Sequence, residues 1–440
     1  MTTEGRAAEG IGASSGRWGR TLQALLWALC IGWAGASATL LHTASSRTDA
    51  AWVAAVAFAW GATALFSAFL ARKSLAPIAV VLGVALLVRG PLIGAPPLLS
   101  DDVYRYLWEG LVLLSGDNPF TSPPVALPGL DDALRAQVNH GEISSAYPPL
   151  ALAWFVVLRI TGLGVPGAQV WTVLADLAVL GALLYGRKGS WVSLLYALHP
   201  LPVIESAVGA HIDVPAVACL AWACVLAERR SWLAPLLGVL GGGFKLFPAL
   251  ILPSLSWRAG PARAALGIGL GVVVVGLAAI PVLSAGSALF AGLGAYATHW
   301  EFNGLVFTPL TWVLHPPDAR RILIPLGGLA VLVAAVVFRD RPARAWLLVG
   351  AAFVAFSPTV HPWYGLWVLV PALLVGRWSG AAVGVSLLGA YGVLSGYDAA
   401  TGAWSEPAWL WAVTWLPGLA AVGVEFWLEA RKRARVSARV

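Results

Sequence analysis

Residues 262–283 read ARAALGIGLGVVVVGLAAIPVL, with one charged side chain, Arg263, near the beginning. A helix needs about 20 consecutive apolar residues to cross the hydrocarbon core of a bilayer. Leu, Val, Ala and Gly dominate the run, and its hydrophobicity does not alternate with a period of two residues, so a helix is favoured over a barrel strand. The stretch therefore predicts a membrane-spanning helix.

Similar runs recur along the whole chain. Hydrophobic residues make up 59% of the 440 residues and charged residues 11%, and the mean hydropathy is +0.79; a soluble domain has about 25% charged residues. About fourteen windows have roughly the length of a membrane span. They are 21–41, 50–71, 75–93, 148–163, 168–186, 190–207, 213–228, 232–254, 262–283, 320–338, 343–359, 362–376, 379–396 and 407–428.

The composition therefore predicts an all-α polytopic membrane protein with about 12–14 transmembrane or re-entrant helices. A flexible cytoplasmic arm is expected over 1–20, a membrane domain over 21–428 and a basic cytoplasmic tail over 429–440. The first apolar run is too long for the core of a signal peptide, so we expect it to be retained as a signal anchor.

The cysteines and the net charge exclude other classes. Cys30, Cys219 and Cys224 lie inside apolar runs without metal-like spacing, so we expect packing roles and no disulfide framework. The net charge of +7 comes from Arg and Lys at the ends of runs and in the tail 431–435. This distribution is a topology signal of membrane proteins and does not indicate nucleic-acid binding.

Positive charge favours the cytoplasmic side, and four basic clusters agree with both termini inside. They are the N-terminal arm, 72–73, 339–344 and the C-terminal tail. Three crossings then place the long segment 94–146 outside the cell. The segments 285–319, 361–364 and 397–406 are expected to share that external face, in what we expect to be a bacterial inner (plasma) membrane.

The middle of the chain leaves two topologies open. Fourteen full crossings would put Arg187-Lys188 and Arg229-Arg230 outside, against the positive-inside rule. A twelve-crossing arrangement moves both pairs inside if one segment within 147–186 and the segment 232–254 are re-entrant or juxtamembrane. The same arrangement moves 209–213 to the external face.

The densest chemical stretch is 96–110, PPLLSDDVYRYLWEG, in the first large external segment. The two prolines end the third span, and Ser100 can cap a new helix. Asp101 and Asp102 would then lie in its first turn, where the helix dipole favours anions. The stretch predicts an amphipathic juxtamembrane helix with carboxylates at its beginning.

The predicted helix has two faces. Asp102, Arg105, Tyr106 and Glu109 fall on one of them at i, i+3, i+4 and i+7. The opposite face is apolar and suited to lie along the membrane; it consists of Val103, Leu107, Leu111 and Leu114. An alternative without catalysis is that the aspartates only cap the helix and that Arg105 and Glu109 form a surface ion pair.

Charged side chains that interrupt apolar runs are further candidates, because charge near a bilayer is costly. Lys245 follows the glycines 241–243 and has no acid nearby in the sequence. It either binds a phosphate or reaches to the interface while the glycines pack helices. His211 and Asp213 either face an acceptor or metal, or form a turn and helix start ahead of Pro215.

Other polar and aromatic residues complete the candidate set. Glu205 lies near the end of an apolar run without a basic neighbour in the sequence. Trp300, Trp363 and Tyr364 could stack on a sugar or line a groove for a lipid tail, although Trp and Tyr are common at membrane interfaces. Asn303 could hydrogen-bond a sugar, or it serves only to fold its loop.

Taken in order, these motifs resemble those of the GT-C superfamily, membrane glycosyltransferases that use polyprenyl-phosphate sugars, and in particular its bacterial mannosyltransferase-like branch. The resemblance covers about residues 98–365. It rests on Ser100–Leu107, Gly116–Phe120, Tyr147-Pro148-Pro149, His199-Pro200, Glu205, His211 with Asp213, Lys245 with Pro248, Trp300 with Asn303, and His361-Pro362-Trp363-Tyr364. The branch pattern has one Asp where this chain has Asp101-Asp102.

The resemblance implies an inverting transfer of a hexose, with mannose as first candidate, from a polyprenyl-phosphate donor to a glycolipid, glycan or lipid-carrier acceptor at the external face. Such a transfer needs a base for the acceptor hydroxyl and cations for the leaving phosphate. Asp102 is the expected base, with Asp101 assisting or binding a divalent cation. The expected substrate-binding residues are Arg105, Tyr106, Glu109, Tyr147, Glu205, His211, Asp213, Lys245, Trp300, Asn303, His361 and Tyr364.

Two other functions stay open. A transporter or flippase of lipid-linked glycan intermediates would line its path with Lys245, Glu205 and His211, but the chain shows no repeat symmetry of the kind transporters have. A non-catalytic envelope-assembly subunit would have no need of Asp101-Asp102. Nucleotide-binding, serine-hydrolase and zinc-protease motifs are missing from the sequence.

Overall fold

The computed structural model describes residues 3–73, 76–186 and 191–437. These residues form helices joined by turns and isolated β-bridges, without a β-strand among them. The all-α prediction is therefore confirmed. Arg187 and Lys188, which bear on the choice of topology, lie outside the described residues.

Among the described residues up to Phe244, the structure contains twelve α-helices. They are α1 Thr3–Thr43, α2 Arg47–Ala50, α3 Trp52–Leu70, α4 Ile78–Arg89, α5 Asp102–Leu114, α6 Asp132–Arg135, α7 Pro149–Ile160, α8 Gly164–Gly186, α9 Trp191–Leu198, α10 Pro200–Ala207, α11 Asp213–Ala227 and α12 Leu233–Phe244. Helix α5 is the juxtamembrane helix predicted from the sequence. The apolar run 190–207 is broken into α9 and α10 at His199-Pro200 because Pro begins helices readily but interrupts them internally.

The second half continues with helices α13 to α21. They are α13 Leu252–Ala259, α14 Pro261–Ala279, α15 Ala291–His299, α16 Phe307–Thr311, α17 Pro316–Val337, α18 Pro342–Phe356, α19 Leu366–Leu374, α20 Ser379–Leu387 and α21 Ala408–Ser437. Short 3-10 turns add Phe247–Ile251, Ile280–Phe290, Pro362–Gly365 and Leu388–Gly396. The segment 285–319, expected to be a connection, is thus largely helical, and the chain bends at Gly286, whose φ is +55°.

Seven helical stretches of the described residues are long and apolar enough to cross a membrane. They are Thr21–Thr43, Arg47–Leu70, Gly164–Gly186, Pro261–His299, Pro316–Val337, Ser379–Gly396 and Ala408–Ser437. Some of these stretches join two or three consecutive helices. Six shorter apolar helices of 10–17 residues accompany them, among them α7, α11 and α12. A 12-residue helix such as α12 is only about 18 Å long. The polytopic membrane class is confirmed, and the number of full crossings stays a prediction.

A buried ion pair joins three helices in the interior of the bundle. Arg89 on α4 contacts Asp176 on α8, and both side chains are fully buried. The hydroxyl of Tyr196 on α9 donates to Asp176 at 2.5 Å, and Arg89 Nη1 donates to the Ala197 carbonyl at 2.9 Å. Because an unpaired charge at this depth would be costly, the arrangement ties these helices together.

Helix α5 is held against α7 rather than lying free on the membrane. The rings of Tyr106 and Phe155 stack with centroids 4.6 Å apart. Val103 and Leu107, expected on a membrane-facing side, are buried between the two helices, whereas Leu114 is exposed. The protein therefore covers part of the face that the sequence assigned to lipid, and the packing fixes the orientation of the residues at the beginning of α5.

Gly110 provides a test of this packing. A Cβ at Gly110 would lie 2.3 Å from the Phe155 carbonyl oxygen, whereas one at Gly83 in α4 would meet no atom within 4 Å. We expect Gly110→Ala to destabilise the protein by about 1–3 kcal/mol through overpacking, and Gly83→Ala to be neutral or slightly stabilising. Thermal unfolding of both variants in one detergent checks this, and equal melting temperatures would contradict the α5–α7 contact.

Candidate active site

A cavity of about 740 Å³ lies where α5, the beginning of α11, the residues after α12, helix α15 and the turn before α19 meet. Many of the predicted site residues line it. These are Asp101, Asp102, Arg105, Tyr106, Tyr147, Asp213, Lys245, Trp300, His361 and Tyr364. Glu109, Glu205, His211 and Asn303 are not in the lining.

The two aspartates at the beginning of α5 hold a defined set of partners. Asp101 accepts hydrogen bonds from Arg47 Nη2 and from Asn139 Nδ2, each at 2.7 Å. The Asn139 amide also reaches Asp102 Oδ1 at 3.0 Å. Asp101 occupies the N-cap position, yet its side chain makes no capping hydrogen bond. Helix capping therefore does not account for the pair.

The surroundings of Asp102 make it a stronger base than an ordinary aspartate. Burial is the main cause that raises the pKa of its carboxyl, and the neighbouring Asp101 charge raises it further. His211, the Asn139 hydrogen bond and Lys245 act in the opposite direction without cancelling the rise. A raised pKa suits a carboxylate that must accept a proton from a hydroxyl group.

Arg105 and Glu109 shape the loop over the cavity. The side chains are 9% and 2% exposed, with Nη1 and Oε1 3.4 Å apart, so the surface-pair alternative is wrong. Arg105 donates to the carbonyls of His140 at 2.7 Å and Ile143 at 3.2 Å. Glu109 accepts from Ser145 Oγ at 2.7 Å, and burial raises its pKa to about 7. Their substrate contacts stay a prediction.

Lys245 does have an acid beside it, contrary to what the sequence indicated. Its Nζ lies 2.6 Å from Asp213 Oδ2, although 32 residues separate the two. Trp367 Nε1 donates to the other oxygen of Asp213 at 2.7 Å, and Lys245 Nζ is 4.7 Å from the centre of the Tyr364 ring. Asp213 begins α11, as the helix-start alternative proposed, but it also lines the cavity.

Glu205 and His211 form a layer behind the cavity. Both are fully buried, and His211 Nδ1 lies 2.8 Å from Glu205 Oε2. The Tyr391 hydroxyl, whose residue does line the cavity, donates to Glu205 at 3.0 Å. The His211 ring stacks on Trp363 at 3.9 Å, and Trp363 stacks on His361 at 4.4 Å. These rings connect the buried pair to the cavity wall.

The segments 94–146, 285–319, 361–364 and 397–406, which were expected to share one face, all contribute residues to the lining of this cavity. His140 meets Trp300 with ring centroids 4.5 Å apart, and the hydroxyls of Tyr296 and Tyr364 are 2.8 Å apart. The backbone N–H of Asn303 donates to Glu406 at 2.8 Å. Asn303 itself is 1% exposed, so it supports the wall from behind.

Several residues of the site were not predicted, above all Arg47, Asn139, Tyr296 and Tyr391. Arg47 pairs with Asp101 and also lies 5.2 Å from the Tyr397 ring. One signal could have identified it, because an arginine in the predicted external turn after the first span runs against the positive-inside rule. Asn139 lies in a polar loop and carries no comparable signal.

The metal prediction rests on Asp101 and Asp102 alone. Within 3–73, 76–186 and 191–437, no group of three or more His, Cys, Asp or Glu side chains could hold a metal ion. Asp101 is already bound by a guanidinium and an amide. A divalent cation here would therefore take most of its ligands from a substrate phosphate and water, and its presence stays a prediction.

Comparison with known proteins covers the part of the chain up to residue 261, which carries the aspartates of α5, Asp213 and Lys245. Residues 16–261 match the family model described as Alpha-(1->6)-mannopyranosyltransferase, N-terminal domain. The chain is also 27% identical over 182 residues to Alpha-(1->6)-mannopyranosyltransferase A of Corynebacterium glutamicum. That alignment covers 38% of this chain and 36% of the relative, so the chain matches little more than a third of the relative's length. No solved structure matches the chain.

The family match bears on the resemblance read from the motifs. Its range takes in more than half of the chain and includes Asp102, Asp213 and Lys245, three residues of the cavity wall. The expected likeness to bacterial membrane mannosyltransferases is thereby confirmed. The chain belongs to the alpha-(1->6)-mannopyranosyltransferase family.

Proposed function

We propose that the protein is an inverting glycosyltransferase that moves a hexose from a polyprenyl-phosphate donor to a glycolipid, glycan or lipid-carrier acceptor. The observation that carries the proposal is the presence of the Asp101-Asp102 pair and the Lys245 ammonium in the wall of one cavity. Base and cation are the two groups that such a transfer requires. The names of the matched family and relative support mannose as the sugar and an α-(1->6) linkage.

The proposed reaction is a single displacement. Asp102 accepts the proton of the acceptor hydroxyl while the oxygen of that group forms a bond to the anomeric carbon of the sugar. The bond between this carbon and the phosphate oxygen breaks, and the polyprenyl phosphate leaves with the bonding electrons. Lys245 stabilises the charge that develops on the phosphate. Arg47 and Asn139 keep the carboxylates in place through Asp101.

The lining of the cavity suits both parts of a lipid-linked sugar. Trp363 is itself stacked on His211 and His361. The aromatic side chains proposed to contact a sugar ring are therefore those of Trp300 and Tyr364, which line the same cavity. Leu246 and Leu250 line the same cavity and are 53% and 39% exposed. In a membrane, these two leucines would face lipid, so we propose that the polyprenyl tail leaves the cavity on their side.

The transporter alternative is less well supported. It requires Lys245, Glu205 and His211 to line one path, but Glu205 and His211 are fully buried outside the lining. We also propose that the cavity opens on the external face of the membrane and that both termini lie in the cytoplasm. The presence of the intact carboxylate pair in the cavity favours an enzyme over a non-catalytic assembly subunit.

A reconstituted assay tests the proposal. The full chain in liposomes is incubated with labelled polyprenyl-phosphate mannose and a synthetic mannoside acceptor, and the product is analysed by mass spectrometry and by NMR of the anomeric proton. We expect a lengthened acceptor whose new linkage has the anomeric configuration opposite to that of the donor. Translocation of the lipid-linked sugar without product would refute the enzyme.

The pH dependence of the reaction should report on Asp102. The acid limb of kcat/KM follows the pKa of the base in the free enzyme. Asn139→Ala removes a hydrogen bond that lowers this pKa, so the limb should move to higher pH; Asp101→Asn removes a charge that raises it, so the limb should move to lower pH. Rate profiles of both variants check the opposite shifts, and movement in the same direction would exclude Asp102 as the titrating base.

A further inference from the structure

A second, smaller cavity of about 240 Å³ is lined by Arg230, Trp257, Arg258, Ala259, Gly260 and Arg263. It lies at the other end of the helices from the candidate active site. Helix α11 begins at Asp213 in the active-site cavity and ends at Ala227, about 22 Å away along the helix axis. Arg230 follows in the turn before α12 leads back to Lys245.

This arginine pocket shares its end of the bundle with the predicted cytoplasmic cluster 339–344. The guanidinium of Arg339 lies 4.3 Å from the centre of the Trp257 ring, and Ser254 Oγ donates to the Arg339 carbonyl at 2.9 Å. Arg229 and Arg230 therefore lie with the other cytoplasmic charges. This placement agrees with the twelve-crossing arrangement, which puts Arg229 and Arg230 inside as the positive-inside rule requires.

The pocket carries more positive charge than its own acids balance. Arg258 Nη2 pairs with Glu228 at 2.9 Å, but the buried Arg258 Nε has no hydrogen-bond partner. For the side chains of Arg230 and Arg263, the described ranges provide no ion pair. Guanidinium groups converging on a small cavity match the oxygens of a phosphate, which they can bind in a bidentate manner.

The surroundings of the pocket favour a phosphate that is attached to a lipid. Trp257 is 58% exposed, and this residue type is enriched at the depth of lipid headgroups. Leu266 and Leu270 follow Arg263 at i+3 and i+7 on the same side of α14 and are 50% and 42% exposed. A headgroup at the arginines would thus have its acyl chains along an apolar helix face.

We propose that the arginine pocket binds the phosphate of an anionic phospholipid headgroup, on the membrane face opposite the active site. The site involves none of the groups assigned to glycosyl transfer, so it stands or falls independently of the proposed reaction. Bound lipid would neutralise the converging arginines and hold the turn 228–231 close to 257–263.

Lipid binding to the purified full chain in detergent tests the proposal, with native mass spectrometry as the readout. Phosphatidylglycerol should bind to the wild type, and Arg230→Gln combined with Arg263→Gln should weaken this binding at least about tenfold, because the phosphate loses the charge-assisted hydrogen bonds of two guanidinium groups. Arg433→Gln combined with Arg435→Gln removes the same charge from the exposed tail and should leave binding unchanged. Unchanged melting temperatures without lipid show that the variants are folded.

Further arms of the experiment identify the ligand. Phosphatidylcholine should bind more weakly than phosphatidylglycerol, and Arg230→Lys with Arg263→Lys should retain part of the binding. Equal binding of both lipids, or wild-type binding by the double Gln variant, would overturn the proposal. Tight binding of inorganic phosphate alone that depends on Arg230 and Arg263 would assign the pocket to a soluble phosphate and overturn the lipid assignment.

Discussion

Asp102→Asn is expected to lower kcat/KM for sugar transfer by about 10²–10⁴-fold, the range that a general base contributes. The amide cannot accept the proton of the acceptor hydroxyl, yet it keeps the size of the carboxylate and can still pair with the Asn139 side chain. Membrane expression and the melting temperature should therefore stay at wild-type level. The assay of labelled product with the purified variant measures the effect.

The matched control is Asp132→Asn in the same loop. The Asp132 side chain is 61% exposed and pairs with Arg135 at 2.8 Å, away from the cavity lining, so its activity should be unchanged. Asp101→Asn should fall between the two variants, because it loses the Arg47 pair but leaves the base intact. Full transferase activity of Asp102→Asn would remove this residue as the base.

The sequence was sufficient for the class of fold and for the prediction that several polar segments distant in the chain lie together. Long apolar runs predict helices from their own composition, and the polar stretch 96–110 predicts α5 and its carboxylates. The helix break at Lys245 was also visible as an interruption of an apolar run, but the break at Pro200 was not, because the window 190–207 was predicted as one continuous run. The predicted helices and the break at Lys245 depend on neighbours in the chain, which a single sequence records.

Contacts between distant helices could not be predicted in this way. Lys245 and Asp213 look unrelated in the sequence, and only the antiparallel course of α11 and α12 brings them to 2.6 Å. Arg47 likewise reaches Asp101 across 54 residues only because the chain is folded. Periodicity indicates which side of a helix is polar, but the partner of each polar side chain is decided by tertiary packing.

Glu205 and His211, the pair behind the cavity, show a further limit of prediction from a single sequence. They were predicted to bind substrate because charged residues in membrane segments are often functional. The structure pairs them with each other and with Tyr391, so their described contacts are internal. A residue that supports the wall of a site and a residue that touches the ligand have the same appearance in a single sequence.

Lys245→Met is expected to lower kcat/KM by about 10²–10³-fold, the usual effect of removing one donor that stabilises developing negative charge. Lys245 faces the cavity with a side chain that is 26% exposed, whereas its partner Asp213 is 1% exposed. The matched control, Lys432→Met, removes a lysine from the exposed tail and should have no effect. Kinetic constants for both variants in liposomes measure the difference.

Lys245→Met can lose activity in two ways, through destabilisation of the protein or through loss of the ammonium group that binds the leaving phosphate. Removal of Lys245 leaves Asp213 buried without its cation, which by itself destabilises the protein. Asp213→Asn combined with Lys245→Met removes both charges, so the melting temperature should return toward that of the wild type. If Lys245 binds the leaving phosphate, the activity of this double variant stays low; if the lysine only neutralises Asp213, activity recovers together with stability, and the phosphate role is then wrong.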